Sequence, residues 1–169
     1  SPMVDMNLFK TRSFANGTAL ISVHFTGMPA IWLIVAVYMQ NGQGKSALAA
    51  GAIGLPAAIL SAATSAIAGR HIVRLGRILV VTAQFVVLAG LLGSILVIWM
   101  IETWDISVWW LMIPLAFAGG AQGAVISPNQ TLTLADVPVQ YAGSAGGVMQ
   151  TGQRVGIAIG LALVTGIVF

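Results

Sequence analysis

The sequence contains no cysteine and very little charge. Its 169 residues include 7 Lys and Arg, 4 Asp and Glu and 2 His, so that only 7% of the residues are charged. The absence of cysteine excludes a disulfide framework and a thiolate metal site. An ordinary soluble domain carries about 25% charged residues. The composition therefore argues against a soluble enzyme, and seven scattered cations are too few for a nucleic-acid-binding stripe.

Apolar residues take the place of the missing charge. They make up 58% of the chain, and the mean hydropathy is +0.97. A helix crosses about 30 Å of hydrocarbon with about 20 apolar residues, and helices satisfy their own backbone in lipid. The sequence predicts an all-α, polytopic transmembrane helix bundle of about five spans, after a cytoplasmic lead-in over residues 1–13. The spans are predicted over residues 14–40, 47–68, 78–101, 109–134 and 142–169.

Basic residues gather on one side of this predicted zigzag. Five of them lie at the same ends of the spans: Lys10, Arg12, Arg70, Arg74 and Arg77. The opposite side carries only Lys45, together with the acids Glu102 and Asp105. Because Lys and Arg mark cytoplasmic segments, we predict a multi-pass protein of the cell membrane whose N-terminus is cytoplasmic. The chain begins with Ser1 and Pro2 and has an odd number of spans, so we expect it to be a piece of a longer protein.

No enzyme constellation is visible in the sequence. His24 and His71 are separated by a whole span, and the four acids lie outside the predicted spans. Neither a phosphate-binding loop nor a zinc-binding helix motif occurs. We therefore predict no catalytic, cofactor-binding or metal-binding residue.

Arg154 is the sharpest polar feature of the predicted spans. It lies about twelve residues into the fifth span, and Gln150 and Gln153 share its helix face. Polar residues inside membrane helices are costly and usually face the bundle interior or a water-filled path. We predict these three side chains to line a substrate or proton path. The alternative is a structural Arg that extends to the interface.

Three further polar residues are candidates for the same path. His24 lies near the middle of the first span, and its ordinary pKa of about 6.5 would suit proton transfer. Gln122 and Asn129 are seven residues apart in the fourth span and face the same way. The alternative for His24 is a hydrogen bond to a neighbouring helix, and for the two amides it is a role as interhelical glue.

Glycine gives a packing signal in the fifth span. Gly152, Gly156 and Gly160 recur at every fourth position and predict a smooth stripe that lets another helix approach closely. The stripe lies about a third of a turn from the face of Gln150 and Arg154. One face of this helix is therefore predicted to pack while another lines a path.

Several of these segments resemble the major facilitator superfamily. The basic segment GRHIVRLGR, from Gly69 to Arg77, is similar to the family signature GxLaDRxGR, with Val73 at the Asp position, as in its second, degenerate copy. Gly143, together with the stripe of three glycines, resembles the antiporter motif, although Ile157 replaces its proline. Residues 7–14 and 127–160 resemble the C-terminal half of the fourteen-span drug:proton antiporters.

The resemblance implies a fold and a function. It implies that the five spans are equivalent to spans seven to eleven of a twelve-span core, with the N-terminal half as the missing partner. It also implies proton-coupled export of small molecules, including drugs, by alternating access. A cytoplasmic gating loop would consist of Gly69, Arg70, Arg74, Gly76 and Arg77. The partners would be the lipid bilayer, protons and a small-molecule substrate. A family member that carries a metabolite, or a non-transporting helix assembly module, remains an alternative.

Overall fold

A computed structural model describes residues 6–168, which are helical over almost their whole length. Five α-helices occur in these residues: α1 Arg12–Val37, α2 Ala47–Ala52, α3 Leu55–Trp104, α4 Met112–Ala135 and α5 Ala142–Val168. Shorter helical turns accompany them: 3-10 turns over Met6–Lys10, Val108–Leu111 and Val139–Tyr141, and a π-helical turn over Tyr38–Gly42. No β-strand occurs within residues 6–168.

Four continuous helical stretches of the described chain are long and apolar enough to cross a membrane. They are Arg12–Gly42, Ala47–Trp104, Val108–Ala135 and Val139–Val168. This confirms the predicted all-α polytopic membrane bundle. Phe169, the predicted end of the last span, and residues 1–5 of the predicted lead-in lie outside the described residues.

The stretch from Ala47 to Trp104 contains two of the five predicted spans, because α3 is broken at Gly76. This residue has φ 48° and ψ −129°, a backbone conformation that only glycine adopts readily. The break divides α3 into a first arm, residues 55–75, and a second arm, residues 77–104. Both arms pack on α4, the first through Thr64 and Gly120 and the second through Gly90 and Ala118. The chain therefore reverses at a single residue.

The predicted loop over Gly69–Arg77 is wrong for most of its length. Residues 69–75 remain helical, and only Gly76 leaves the helix. Long basic side chains reach the interface from a helix as well as from a loop, and Arg is a good helix former. The run of charge does not end the helix, whereas the backbone conformation of Gly76 does.

The predicted second span also differs at its start. The sequence predicted one span from residue 47 to 68, whereas the structure interrupts it at Ile53 and Gly54, between α2 and α3. Pro56 occupies the first turn of α3, where its missing N–H and fixed φ favour a helix start. The residues of α2 therefore form a separate short helix.

The described chain divides into two compact units. The first contains the residues up to Val35 and those from Asn129 onward, and the second is Ala36–Pro128. The first unit has a small apolar core near the start of α5. Leu8 of the lead-in and Phe14 of α1 lie there together with Val137 and Ala145. The largest fully buried side chains of the second unit are Met39, Ile53, Leu111, Leu115, Val125 and Pro128.

Candidate transport-pathway residues

In the first unit, α5 packs on α1 through its glycine stripe. A Cβ atom added at Gly156 would overlap the carbonyl oxygen of Ser22, and one added at Gly160 would overlap the carbonyl oxygen of Thr26. Only glycine therefore lets the two backbones approach this closely. Gly143 differs from the stripe, because open space surrounds the position of its Cβ. Within residues 6–168, no atom of a neighbouring helix lies within 4 Å of that position.

The facing surface of α1 is made of small hydroxyl side chains. Ser22 Oγ donates a hydrogen bond of 2.7 Å to the carbonyl oxygen of Thr18, and Thr26 Oγ1 donates one of 3.0 Å to that of Ser22. These bonds stay within α1, so the hydroxyl groups need no partner across the interface. Small, internally satisfied side chains on α1 thus meet glycine on α5.

The other face of α5 carries the predicted polar path. Gln150 and Arg154 are exposed, and Gln153 is half-buried. Arg154 lies twelve residues after the first residue of α5, which corresponds to a rise of about 18 Å, near the middle of the helix. Within residues 6–168, it makes no ion pair and no side-chain hydrogen bond. The amide nitrogen of Gln153 is buried and has no partner in the same residues.

Asn129 joins α4 to α1 in the first unit. It is buried, and its Nδ2 donates a hydrogen bond of 3.0 Å to the carbonyl oxygen of Gly17. Thr133, one turn further along, donates a bond of 2.6 Å to the carbonyl oxygen of Asn129. A Cβ atom at Gly17 would overlap the hydroxyl of Thr133. Asn129 therefore acts here as interhelical glue, which was one of its two predicted roles.

The positions of His24 and Gln122 give little information about a substrate or proton path. His24 is buried in the first unit, with its ring edge-on to Phe25 at 5.9 Å between centroids. Gln122 is half-buried in the second unit, whereas Asn129 belongs to the first. No group of three His, Asp or Glu side chains that could hold a metal lies among residues 6–168.

The basic segment surrounds the reversal of α3. Arg70 and Arg74 are exposed on the first arm, and Arg77 is exposed at the start of the second arm. None of the three forms an ion pair with an acid in the described part of the chain. Gly69 is exposed, and open space lies around its Cβ position. The structure thus presents three unpaired cations at one end of the second unit.

A polar cluster at the opposite end of the second arm was not predicted. The hydroxyl of Tyr38 donates a hydrogen bond of 2.8 Å to Glu102 Oε1. Gln43 Nε2 donates to the same oxygen at 3.2 Å and to the Tyr38 hydroxyl at 3.1 Å. The cluster ties the π-helical turn to the end of α3. The sequence places these residues at helix ends, but their pairing spans about sixty positions, and no local pattern reveals it.

The described chain is a helical membrane bundle in which glycine packs α5 on α1 and another face of α5 carries polar side chains. The family model of the Major Facilitator Superfamily matches residues 2–161. The chain belongs to this superfamily. No solved structure matches it.

Curated relatives match nearly the whole chain. It is 28% identical over 167 residues to the multidrug resistance protein Stp of Mycobacterium tuberculosis, covering 96% of this chain and 29% of Stp. It is 28% identical over 163 residues to the methyl viologen resistance protein SmvA of Salmonella typhimurium, covering 96% and 32%. The riboflavin transporter RibZ of Clostridioides difficile is 28% identical over 161 residues, covering 94% and 34%. The chain thus spans about a third of the length of these relatives.

Proposed function

We propose that the chain is part of a proton-coupled secondary transporter that exports small molecules, including drugs, by alternating access. The observation that carries this proposal is the similarity, over 96% of the chain, to proteins named for multidrug and methyl viologen resistance. A membrane protein of a transporter family confers resistance most directly when it moves the toxic compound out of the cell. We infer that the chain serves transport and performs no enzymatic step.

The chain would supply the equivalents of spans seven to eleven of a twelve-span core. In that arrangement α1, the two arms of α3, α4 and α5 are five consecutive spans, and an N-terminal half faces them. Alternating access would come from rocking one half against the other around a midplane site. The proton-carrying acids would lie in the N-terminal half, since Glu102, Asp105 and Asp136 lie at or beyond the ends of the helices.

Arg154 would mark the transport path in this chain. A cation near the middle of a membrane helix is costly unless it meets an anion, a polar group or water. Arg154 is exposed and makes no ion pair or side-chain hydrogen bond within residues 6–168. In the complete transporter it would face a carboxylate of the other half or an anionic group of the substrate. Gln150 and Gln153 would extend the same face with neutral hydrogen-bonding groups.

A transporter of a metabolite is the second candidate. It is favoured by the 28% identity to the riboflavin transporter RibZ over 94% of the chain. The two candidates share the fold and differ in substrate.

Flux measurements on the complete transporter separate the candidates. The protein containing this chain is reconstituted into vesicles, a proton gradient is imposed, and uptake of methyl viologen or riboflavin is followed. We expect methyl viologen to accumulate against its gradient and a protonophore to abolish that accumulation. Riboflavin flux without methyl viologen flux would favour the metabolite transporter. Flux of either compound that does not depend on the proton gradient would contradict proton coupling.

The proposed location is the cell membrane, with the N-terminus of the chain in the cytoplasm. Since the sequence contains no cysteine, single cysteines give clean topology reports. Ser46→Cys and Ser107→Cys should react with an impermeant thiol reagent in intact cells, and Val73→Cys should react only after lysis. All three positions are exposed in the structure. Labelling of Val73→Cys alone in intact cells would reverse the orientation.

A further inference from the structure

The second unit contains an open apolar groove between the second arm of α3 and α4, and Leu60 and Thr64 of the first arm line part of it. It has two adjoining stretches, with volumes of about 560 and 380 Å³. Both stretches are lined by Thr82, Val86 and Phe117, and most of the remaining lining is aliphatic. Leu79 lines one end, and Val97 lines the other. The groove therefore runs along most of the second arm.

The groove forms because its floor carries small residues and its walls carry large side chains. Gly90 lies against Ala118 and Gly93 lies 3.2 Å from Pro114, measured from an added Cβ, so the two helices touch closely along its floor. Phe85 and Phe117 project from the two helices and are 67% and 61% exposed. Small residues thus form the floor and aromatic rings form the walls. Such a groove suits a flexible apolar chain.

Unpaired cations lie close in sequence to one end of the groove. Leu79 lines the groove two residues after Arg77, and Arg74 lies just before the reversal at Gly76. Both arginines are exposed and lack an ion-pair partner in the described chain. The sequence contains no acid between residues 6 and 101 that could neutralise them. The surface is therefore apolar along its length and cationic at one end.

We propose that this surface binds an anionic phospholipid. One acyl chain lies in the groove from Leu79 toward Ala89, and the phosphate contacts Arg77 and Arg74. The ten-residue distance from Leu79 to Ala89 corresponds to about 15 Å of helix, which is half of the roughly 30 Å hydrocarbon core. An acyl chain of one leaflet fits that depth. A negative headgroup meets the two arginines, whereas a zwitterionic headgroup brings no net charge to them.

Photo-crosslinking with the complete transporter tests the proposal. The transporter is reconstituted in phosphatidylcholine vesicles that contain a trace of phosphatidylglycerol or phosphatidylcholine with a photoactivatable acyl chain. Labelled peptides are mapped by mass spectrometry. We expect phosphatidylglycerol to label the segments that contain Val86 and Phe117 more strongly than phosphatidylcholine does. Soluble glycerol phosphate should not compete, because it lacks the acyl chain that fills the groove.

Two pairs of variants test the headgroup contact and acyl-chain binding in the groove separately. Arg74→Gln with Arg77→Gln should lower phosphatidylglycerol labelling by about twenty-fivefold, since each basic side chain near an anionic surface contributes about a factor of five. Lys10→Gln with Arg12→Gln removes as many exposed cations from the first unit and should leave the labelling unchanged. Val86→Trp fills the groove and should reduce labelling by both lipids, whereas Leu88→Trp, at an exposed position outside the groove lining, should not.

Three results would overturn the proposal. Equal labelling by the two lipids, unaffected by the arginine variants, would mean ordinary boundary lipid. Absence of labelling in the groove of a folded, transporting protein would mean that another protein segment covers it. Complete competition by glycerol phosphate would mean a site for a free phosphate compound. Monodisperse elution of each variant shows that a loss of labelling does not come from unfolding.

Discussion

The outward faces of α5 and of the second arm of α3 differ sharply, although both helices pack through glycine on their inner faces. On α5 the exposed positions include Gln150, Thr151 and Arg154. On the second arm every exposed side chain between residues 85 and 99 is apolar, including Phe85, Leu88, Leu92, Ile95 and Leu96. An apolar face suits lipid, whereas a face with a cation near its middle requires a polar neighbour. The comparison indicates different surroundings for these two outward faces.

The inner faces also reach close packing in different ways. In the first unit, glycines of α5 meet Ser22 and Thr26, whose hydroxyls bond within α1. In the second unit, Gly90 meets Ala118, so the contact is entirely apolar. Close backbone approach is the common requirement, and the hydroxyl groups are compatible with it because their own helix satisfies them.

The largest expected effect is the loss of the α1–α5 contact. Gly156→Leu places a side chain where the carbonyl oxygen of Ser22 lies, so we expect destabilisation of about 3 kcal/mol or more. Thermal unfolding of the purified complete transporter measures this. Gly143→Leu is the matched control, because its Cβ position is open. If both variants unfold at the same temperature, the glycine stripe has no special role in packing.

The next effect concerns the polar face of α5. Arg154→Gln should lower proton-driven flux by roughly tenfold or more, since hydrogen bonds to a charged group contribute about 1.5–3 kcal/mol. The pH profile of flux should also change. Arg154→Lys keeps the charge but loses the planar fork, and it should be intermediate. Flux in vesicles at matched protein amounts provides the measurement.

The control for Arg154 is Thr165→Val on the same helix. Thr165 is exposed, and its hydroxyl bonds only to carbonyl oxygens of α5 itself. It should leave flux and pH profile unchanged. Wild-type flux with an unaltered pH profile in Arg154→Gln would reduce Arg154 to a structural residue that extends to the interface.

A smaller effect is expected at the reversal of α3. Replacing Arg70, Arg74 and Arg77 together by Gln should lower flux about fivefold if these cations help to hold one state of the transporter, because about 1 kcal/mol shifts a two-state equilibrium by that factor. Membrane insertion, checked by the cysteine labels, should be unchanged. Wild-type flux in a correctly inserted triple variant would leave topology as the only role of the three charges.

The smallest effect is expected at the polar cluster of the second unit. Tyr38→Phe removes the donor to Glu102 and should lower the free energy of unfolding by about 0.5–1 kcal/mol, since the bond is partly open to water. Thermal unfolding of the complete transporter measures the shift. Tyr141→Phe is the control, because that hydroxyl makes no hydrogen bond with another described residue. An equal shift in both variants would show that the cluster adds nothing to stability.

Much of the fold could be predicted because membrane helices are specified locally. Continuous apolar runs of about 20 residues identified the spans without reference to any partner. The fourfold glycine spacing identified the face of α5 that packs. The sequence predicted the position of the turn near Gly76 but predicted a loop there, whereas the structure has a break within a helix. Basic residues indicate the membrane interface and do not predict the backbone conformation.

The candidate site was predictable only in part, because exposure and pairing depend on distant residues. The sequence located Arg154 within its span, but its lack of a partner among residues 6–168 emerged only from the structure. The two predicted roles of Asn129 were equally compatible with the sequence. The hydrogen bond to Gly17, across 112 positions, supports the interhelical role, and only the structure shows it.

The sequence by itself determined the class of protein, the apolar character of its helices and the positions of its basic and acidic residues. These depend on composition and on runs of consecutive residues. Tertiary structure alone decided which glycines touch a neighbour, how Tyr38, Gln43 and Glu102 combine, and where the groove beside Phe117 opens. Those features arise from side chains that are far apart in the chain, and their energies depend on distances of a few ångströms, which no local pattern encodes.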